Sequence, residues 1–295
     1  MQELIQNLPQ TGHRIRSVEQ GGQGNVDAAL TYLVETDEKP VTFVYAPGTG
    51  ETERLGQHEP VDVRIDNGRT AAPEATLDRE GFALVQSDTA VADFYDEAEV
   101  EAVYYPEIEA LVKKATGASR VHIFDHTRRI DVGPGKEAEG RRAPVRLVHN
   151  DYTAGSGPQR VRDLFAADEA ERLLAGRFAV INVWRPIRGP VRTAPLALAD
   201  ARSIPPKDLV ATDLIYPDRT GEIYEVTHSA GHRWFYFPEM ESDEAVLIKS
   251  YDSAEDGRAR FAPHTAFDDP NSPDDAEPRE SIEVRTLAFF GPEAT

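Results

Sequence analysis

The 295-residue chain contains no cysteine. This absence excludes disulfide bonds, thiolate zinc sites, iron–sulfur clusters and cysteine nucleophiles. The chain also lacks a glycine-rich nucleotide-binding fingerprint, so nothing in it indicates a Rossmann sheet. The metal ligands to be considered are therefore histidines and carboxylates.

Long apolar runs are missing as well. No segment approaches the roughly 20 apolar residues of a membrane helix, and the first thirty residues hold no run of signal-peptide length. We therefore expect a cytoplasmic protein that has no membrane partner.

Positive charge is scarce. The 32 Lys and Arg residues stand against 52 Asp and Glu residues, which gives a net charge of −20. Such a surface repels the phosphates of nucleic acids and anionic lipids. We expect a small-molecule substrate and no nucleic-acid partner, while the oligomeric state is not indicated. The charge is typical of a solvated acidic surface, with adaptation to high salt as the alternative.

Apolar periodicity predicts few helices and many short strands. Residues 97–116 carry apolar side chains at helical spacing, and Gly117 ends that segment. A second helix is predicted at 159–175 and a short helical stretch at 27–33. The predicted strands are 41–45, 61–65, 82–85, 121–126, 144–152, 178–184, 223–228, 233–237, 245–250, 260–267 and 281–290. This pattern predicts a mainly β protein with flanking helices, a double-stranded β-helix of the jelly-roll, cupin-like kind.

The predicted strand 144–152 carries a His-x-Asp pair. Because side chains alternate along a strand, His149 and Asp151 share one face and can bind the same metal ion. They supply two of the three ligands of a facial triad of two histidines and one carboxylate, which suits non-haem Fe(II). The pair alone is a weak signal, so a third ligand is needed.

His264 is the favoured third ligand. It lies late in the β region, where a closed barrel brings a strand beside the strand of His149. His228 is the rival candidate. The remaining histidines are His13 and His58, which we expect at the surface, His122 and His126, which we expect to be core or supporting residues, and His232.

A carboxylate receptor is predicted after His264. On a strand covering 279–285, Arg279, Ser281 and Arg285 share one face. A guanidinium offers a planar fork to a carboxylate, and serine adds a hydroxyl donor. We predict that Arg279 and Ser281 bind the distal carboxylate of 2-oxoglutarate, with Arg285 as the reserve candidate. A surface ladder of Arg279, Glu283 and Arg285 is the alternative.

Ordered sequence blocks extend this interpretation from about residue 80 to the end of the chain. These blocks are YYPE at 104–107, DHT at 125–127 with Arg129, VHNDYT at 148–153, NVWRP at 182–186, GPV at 189–191, PLAL at 195–198, DARS at 200–203, HRWFY at 232–236, YDS at 251–253, PHTAF at 263–267 and RESIEVR at 279–285. With these blocks, the chain resembles the 2-oxoglutarate/Fe(II) oxygenase-like family that contains the cephamycin methoxylation hydroxylase component and the fungal gibberellin desaturase.

The resemblance implies a double-stranded β-helix oxygenase that uses Fe(II), 2-oxoglutarate and O2. It places iron on His149, Asp151 and His264, and it implies hydroxylation or desaturation of a secondary metabolite or related small molecule. We expect a single oxygenase domain over 1–295. Residues 81–295 would form its core, and residues 1–80 an N-terminal extension that covers or shapes the entrance.

Further residues are candidates for substrate binding. Trp184, Trp234 and Tyr236 could line the pocket, although aromatic side chains on strands are more often core residues. Arg129 and Arg185 could hold an acidic substrate or the cosubstrate.

Two other classes of function remain open. A non-oxygenase metal enzyme of cupin type would use the same triad without the Arg279 and Ser281 receptor. A small-molecule binding protein would need neither, but His and Asp side chains are costly to keep inside a barrel without a metal.

Overall fold

The computed structural model describes residues 24–46, 51–132 and 142–291. His13 and the loop residues 133–140 lie outside these ranges. The strands of the described part are β1 (Val26–Leu33), β2 (Val41–Ala46), β3 (Glu51–Leu55), β4 (His58–Asn67), β5 (Phe82–Gln86), β6 (Arg120–Ile130), β7 (His149–Asn150), β8 (Arg177–Pro186), β9 (Leu196–Ala199), β10 (Leu209–Ile215), β11 (Thr220–Val226), β12 (Trp234–Tyr236), β13 (Glu244–Asp252), β14 (His264–Ala266) and β15 (Glu280–Phe290).

Helices are few and short. They are α1 (Gly68–Ala71), α2 (Glu97–Glu99), α3 (Tyr105–Thr116), α4 (Ser156–Leu164) and α5 (Ala167–Leu174). A π-helical turn, Val100–Tyr104, joins α2 to α3. No described helix has the length and apolar character that a membrane span requires.

The strands form two sheets. A ten-stranded sheet has the order β1-β4-β12-β9-β14-β7-β11-β10-β2-β3, and a five-stranded sheet has the order β5-β13-β8-β15-β6. Buried side chains from both sheets, among them Phe82, Trp184 and Phe235, form one apolar cluster between them. Two facing, mostly antiparallel sheets with a core between them form a jelly roll. The predicted fold class is confirmed.

The ten-stranded sheet curls on itself. Leu33 at the end of β1 forms a parallel bridge to Thr227, just after β11. The Val148 amide donates to the Thr31 carbonyl (2.9 Å), an ordinary length for a backbone hydrogen bond. The first strand therefore packs beside the segment that leads into β7.

The prediction of a helix at 27–33 is wrong, because this segment is strand β1. Val26, Ala28, Leu30 and Tyr32 are buried, while Asp27 between them is exposed. This alternation has the period of a strand that is covered on one face.

Helix α3 covers the outer face of the five-stranded sheet. Ile108 and Val112 pack there against Val183 and Val284. The helix ends at Gly117, which has a φ of 74° and adopts the left-handed conformation that glycine favours. The predicted helix 97–116 is thus present, interrupted by its π-helical turn.

The predicted helix 159–175 is two helices. Phe165, with a ψ of 154°, leaves the helical conformation after α4, and Ala166 precedes α5. Asp168 and Glu169 lie in the first turn of α5, where carboxylates favour a helix N-terminus.

Candidate metal centre and cosubstrate cavity

Strand β7 is only two residues long and lies between β11 and β14. Its second residue, Asn150, is fully buried. The Asn150 amide nitrogen donates to the carbonyls of Tyr152 (2.7 Å) and Ser250 (2.8 Å). Its oxygen accepts from the amide of Ala262 (3.1 Å), on the segment that leads into β14. One side chain between the two candidate ligands thus fixes three neighbouring pieces of backbone.

His264 pairs directly with His149 across β14 and β7. The two imidazole centroids are 4.6 Å apart. Candidate ligand atoms of His149, Asp151 and His264 all lie within 4.8 Å of one another. The structure therefore brings the three predicted metal ligands together.

Among the residues that the structure describes, the other histidines lie outside the triad. The His228 ring packs against Tyr32 and His232, at centroid distances of 5.1 and 6.3 Å. His126 is bonded through Nδ1 to the Tyr105 hydroxyl (2.7 Å). His58, predicted to be a surface residue, contacts the buried Glu225 at 3.1 Å.

Both imidazoles of the triad are oriented by backbone. His149 Nδ1 donates to the Leu147 carbonyl (2.7 Å), and His264 Nδ1 donates to the Ala262 carbonyl (3.1 Å). Protons on both Nδ1 atoms leave the Nε2 lone pairs free for a metal. Burial and the neighbouring His149 lower the pKa of His264, which favours the neutral form that binds metal.

Asp151 is held by two side chains. Its Oδ2 accepts from Asn182 (2.6 Å) and lies 3.6 Å from Arg285 Nε, while its Oδ1 lies 3.5 Å from His149 Nε2. Burial acts to raise the pKa of Asp151, but His149 and Arg285 outweigh it and hold that pKa well below its ordinary value. The carboxylate is therefore charged, with Oδ1 directed toward the histidines.

These donors fit an iron(II) ion. Two imidazole nitrogens and one carboxylate oxygen lie close enough together to share one ion, and thiolates are absent from the chain. Such a set is the facial triad of non-haem Fe(II) oxygenases, which leaves further positions open.

A cavity opens beside the triad between the two sheets. Its walls contain both apolar and charged side chains. The lining residues are Arg129, Val145, His149, Asp151, Trp184, Leu196, His264, Thr265, Ala266, Arg279 and Glu283. Two of the predicted substrate-binding residues, Arg129 and Trp184, and one of the cofactor-binding residues, Arg279, are therefore at the cavity.

Arg279 is buried and lacks a carboxylate partner among the described residues. Its Nη1 donates to the Ala194 carbonyl, its guanidinium lies 5.5 Å from the Trp184 ring centroid, and its Nε has no partner. Burial and the nearby Arg129 lower the pKa of Arg279 to about 9. Ser281, also buried, pairs with Arg129 across β15 and β6.

Arg285, the reserve candidate, is already surrounded by carboxylates. It donates to Asp125 (3.1 Å) and Glu283 (2.9 Å) and approaches Asp151. Its guanidinium thus neutralises existing charges beside the metal ligands.

Arg185 does not face the cavity. Trp184 and Arg185 are consecutive on β8, so alternation directs them to opposite faces of the sheet. The Arg185 guanidinium lies beside the π-helical turn, where it donates to Ser87 and is 5.1 Å from the Tyr104 ring centroid. The prediction that Arg185 holds substrate or cosubstrate is corrected for this reason.

Trp234 and Tyr236 also lie away from the cavity. Both are buried in the core inside the curl of the ten-stranded sheet. The Trp234 indole donates to the Tyr32 hydroxyl (2.7 Å), and the Tyr236 hydroxyl donates to the Gly24 carbonyl (3.0 Å). Strand β12 directs Phe235 toward the space between the sheets instead. The predicted pocket role of these two aromatics is corrected to a packing role.

We expect Trp234→Ala to lower the free energy of unfolding by about 3–5 kcal/mol, because it empties a buried aromatic site. Urea unfolding measures this loss. Tyr236→Phe is the mild control: it removes only a hydroxyl and should lose about 1 kcal/mol. Wild-type stability in Trp234→Ala, together with altered substrate turnover, would return Trp234 to the pocket.

Two residues, one beside Asp151 and one at the cavity, were not predicted as site residues. Asn182 holds Asp151, and Glu283 lines the cavity between the arginines. Strand alternation could have found both, since Asn182 shares a face with Trp184, and Glu283 shares one with Arg279.

Comparison with known proteins identifies the family. A family model described as an oxidoreductase/YMDC permease-like domain matches residues 30–289. The hydroxylase/desaturase efuI of Hormonema carpetanum is 34% identical, over 90% of this chain and 95% of its own length. The Fe(II)/2-oxoglutarate-dependent dioxygenase nvfI of Aspergillus novofumigatus is 34% identical, over 83% of this chain and 89% of its own length.

A solved structure agrees with these relatives. The iron and alpha-ketoglutarate-dependent endoperoxidase NvfI superposes with a TM-score of 0.80 at 31% identity, covering 92% of this chain and 100% of that chain. Sequence, fold and triad therefore agree. The chain belongs to the family of Fe(II)- and 2-oxoglutarate-dependent hydroxylases and desaturases, enzymes that use O2 as their co-substrate.

Proposed function

We propose that the cavity is the active site, in which His149, Asp151 and His264 hold Fe(II) while Arg279 receives 2-oxoglutarate. The reaction is hydroxylation or desaturation of a small molecule of the secondary-metabolite kind. One observation carries this proposal: the metal triad lines the same cavity as a buried arginine that has no carboxylate partner in the part of the chain that the structure describes.

Arg279 is favoured over Arg285 as the receptor of the distal carboxylate. A buried, unpaired guanidinium is costly, and an incoming carboxylate removes that cost. Arg285 already has carboxylates around it and would gain less. The Nε of Arg279 has no hydrogen-bond partner and can donate to a carboxylate, which the planar guanidinium binds through two parallel N–H groups.

Iron, when bound with O2 and 2-oxoglutarate, supplies the oxidising chemistry, which converts 2-oxoglutarate to succinate and carbon dioxide. The protein supplies binding and orientation. Leu147 and Ala262 fix the imidazoles, and Asn182 fixes the carboxylate. The apolar lining, including Trp184, limits water at the reacting centre.

The class of substrate is argued from the relatives. Curated relatives carry the names hydroxylase/desaturase and dioxygenase, and their range of names does not specify one substrate. A closer kinship to the cephamycin and gibberellin enzymes, and a cytoplasmic location, remain predictions.

The single-domain organisation over 1–295 is also part of the proposal. Four strands of residues 26–67 belong to the ten-stranded sheet, which supports one continuous unit. Whether residues 1–80 shape the entrance remains a prediction.

The proposal is tested with anaerobic protein loaded with Fe(II). We expect 2-oxoglutarate to produce the metal-to-ligand charge-transfer absorption band, and O2 then to yield succinate. A cupin-type isomerase or hydrolase would bind the metal without either response. A binding protein would lack the metal as well. Absence of the band at saturating 2-oxoglutarate would refute the proposed function.

Mass spectrometry of the products formed from a panel of small molecules distinguishes hydroxylation from desaturation. Hydroxylation adds one oxygen atom, whereas desaturation removes two hydrogen atoms.

A further inference from the structure

Two guanidiniums at the cavity lack a carboxylate partner among the described residues. One is Arg279, which is already assigned to the distal carboxylate. The other is Arg129 on β6, half-buried at the cavity wall. Its Nη1 donates to the Ala143 carbonyl (2.9 Å), and no described carboxylate lies within salt-bridge distance. Burial lowers the pKa of Arg129, as expected for a cation without a close counterion.

The neighbouring carboxylates are already engaged. On β15, Glu283 lies two residues beyond Ser281, the residue opposite Arg129. Its carboxylate already accepts a hydrogen bond from Arg285 (2.9 Å). Asp125, on the same face of β6 as Arg129, also accepts from Arg285. Two positive charges therefore remain on this wall, on Arg129 and Arg279, and 2-oxoglutarate is a dianion.

Strand register places the two arginines at different distances from the metal ligands. Arg285, opposite Asp125, contacts Asp151. Arg129 is opposite Ser281, and Arg279 lies one further step of two residues along the strand. Each residue advances a strand by roughly 3.3 Å. Along these two strands, Arg129 is therefore nearer than Arg279 to Arg285 and the metal ligand Asp151.

The surrounding charges agree with this order. Asp151 is among the charges that act on Arg129, whereas Arg279 is influenced by Asp131 and Arg146 instead. An elongated dianion that chelates the metal by its keto-acid end would meet Arg129 first and Arg279 at its far end.

We propose that Arg129 binds the carboxylate next to the keto group of 2-oxoglutarate, so that each carboxylate of the cosubstrate has its own arginine. The proposal rests on the proposed function, because it assumes the triad and the cosubstrate. It assigns a cosubstrate-positioning role to β6, a strand that carries none of the metal ligands.

Two ligands separate the roles of the two arginines. 2-Oxovalerate keeps the keto acid of 2-oxoglutarate but has a methyl group in place of the distal carboxylate. Both are titrated into anaerobic Fe(II) protein, and the charge-transfer band gives Kd. We expect Arg129→Gln to weaken both ligands by a similar factor, at least about 30-fold. Arg279→Gln should weaken 2-oxoglutarate alone.

Two further variants control the comparison. Arg128→Gln removes the same charge from the adjacent residue, whose side chain donates to Glu97 (3.0 Å) on the opposite face of β6. It should leave both Kd values unchanged. Arg129→Lys keeps the charge without the fork and should give intermediate values. Circular dichroism verifies that each variant is folded.

Three outcomes would overturn the inference. Wild-type 2-oxoglutarate affinity in Arg129→Gln, with or without lost turnover, would exclude a cosubstrate contact. Loss of 2-oxoglutarate binding with unchanged 2-oxovalerate binding would place Arg129 at the distal carboxylate. Equal losses in Arg128→Gln would show a general effect of charge. No band in the wild-type protein would instead refute the proposed function.

Discussion

Iron content should fall from stoichiometric to background when His264 is replaced by alanine. The reason is geometric: three protein ligands are the minimum for this site, and His264 supplies one of the two imidazoles. Anaerobic reconstitution with Fe(II), desalting and metal analysis measure the effect. His149→Ala should give the same result.

His228→Ala is the matched control, because His228 is the other histidine that the sequence offers as third ligand. Its ring lies against Tyr32 and His232, away from the triad, so iron should remain stoichiometric. Full occupancy in His264→Ala, with loss in His228→Ala, would show that the third ligand is misassigned.

Replacing Arg279 by alanine should raise the Kd of 2-oxoglutarate by roughly 30-fold to several thousand-fold. The removal of one partner from a desolvated charged pair costs on the order of 2–5 kcal/mol, and each 1.4 kcal/mol is about tenfold in affinity. Titration of the charge-transfer band measures this change. Arg279→Lys should recover only part of the affinity, since an ammonium lacks the fork.

Iron affinity distinguishes Arg279 from Arg285. Arg279 contacts none of the metal ligands, so Arg279→Ala should retain iron. Arg285→Ala should weaken iron retention instead, because Arg285 lies 3.6 Å from Asp151. An unchanged Kd in Arg279→Ala beside a large increase in Arg285→Ala, with iron retained in both, would transfer the receptor to Arg285.

The pairing of His149 with Asp151 was predictable because its signal is local. Alternation places His149 and Asp151 on one face whatever the rest of the fold does. The position of His264 followed from the order of strands in a closed barrel. Its direct pairing with His149 could not be read from sequence, since it depends on a register set by the neighbouring strands.

The pocket residues were less predictable because a strand segment does not show which face is inside. Trp184 and Arg185 could not both face the cavity, and alternation alone reveals this conflict. Trp234 and Tyr236 needed tertiary information, since strands near the N-terminus close the core around them. Segment 27–33 was misassigned although its alternation was visible in the sequence.

Asn150 has a consequence for how the His-x-Asp motif is to be understood. The middle position of the motif accepts any residue in the sequence pattern. In this structure, however, its side chain joins by hydrogen bonds the segments that carry all three candidate ligands. An isosteric Asn150→Asp would replace two donated hydrogen bonds by repulsion between oxygen atoms. Asn150→Leu would leave three buried backbone groups without a hydrogen-bond partner. The spacing of the motif determines which residues can reach the metal. The residue within that spacing determines how far apart the ligand side chains are held.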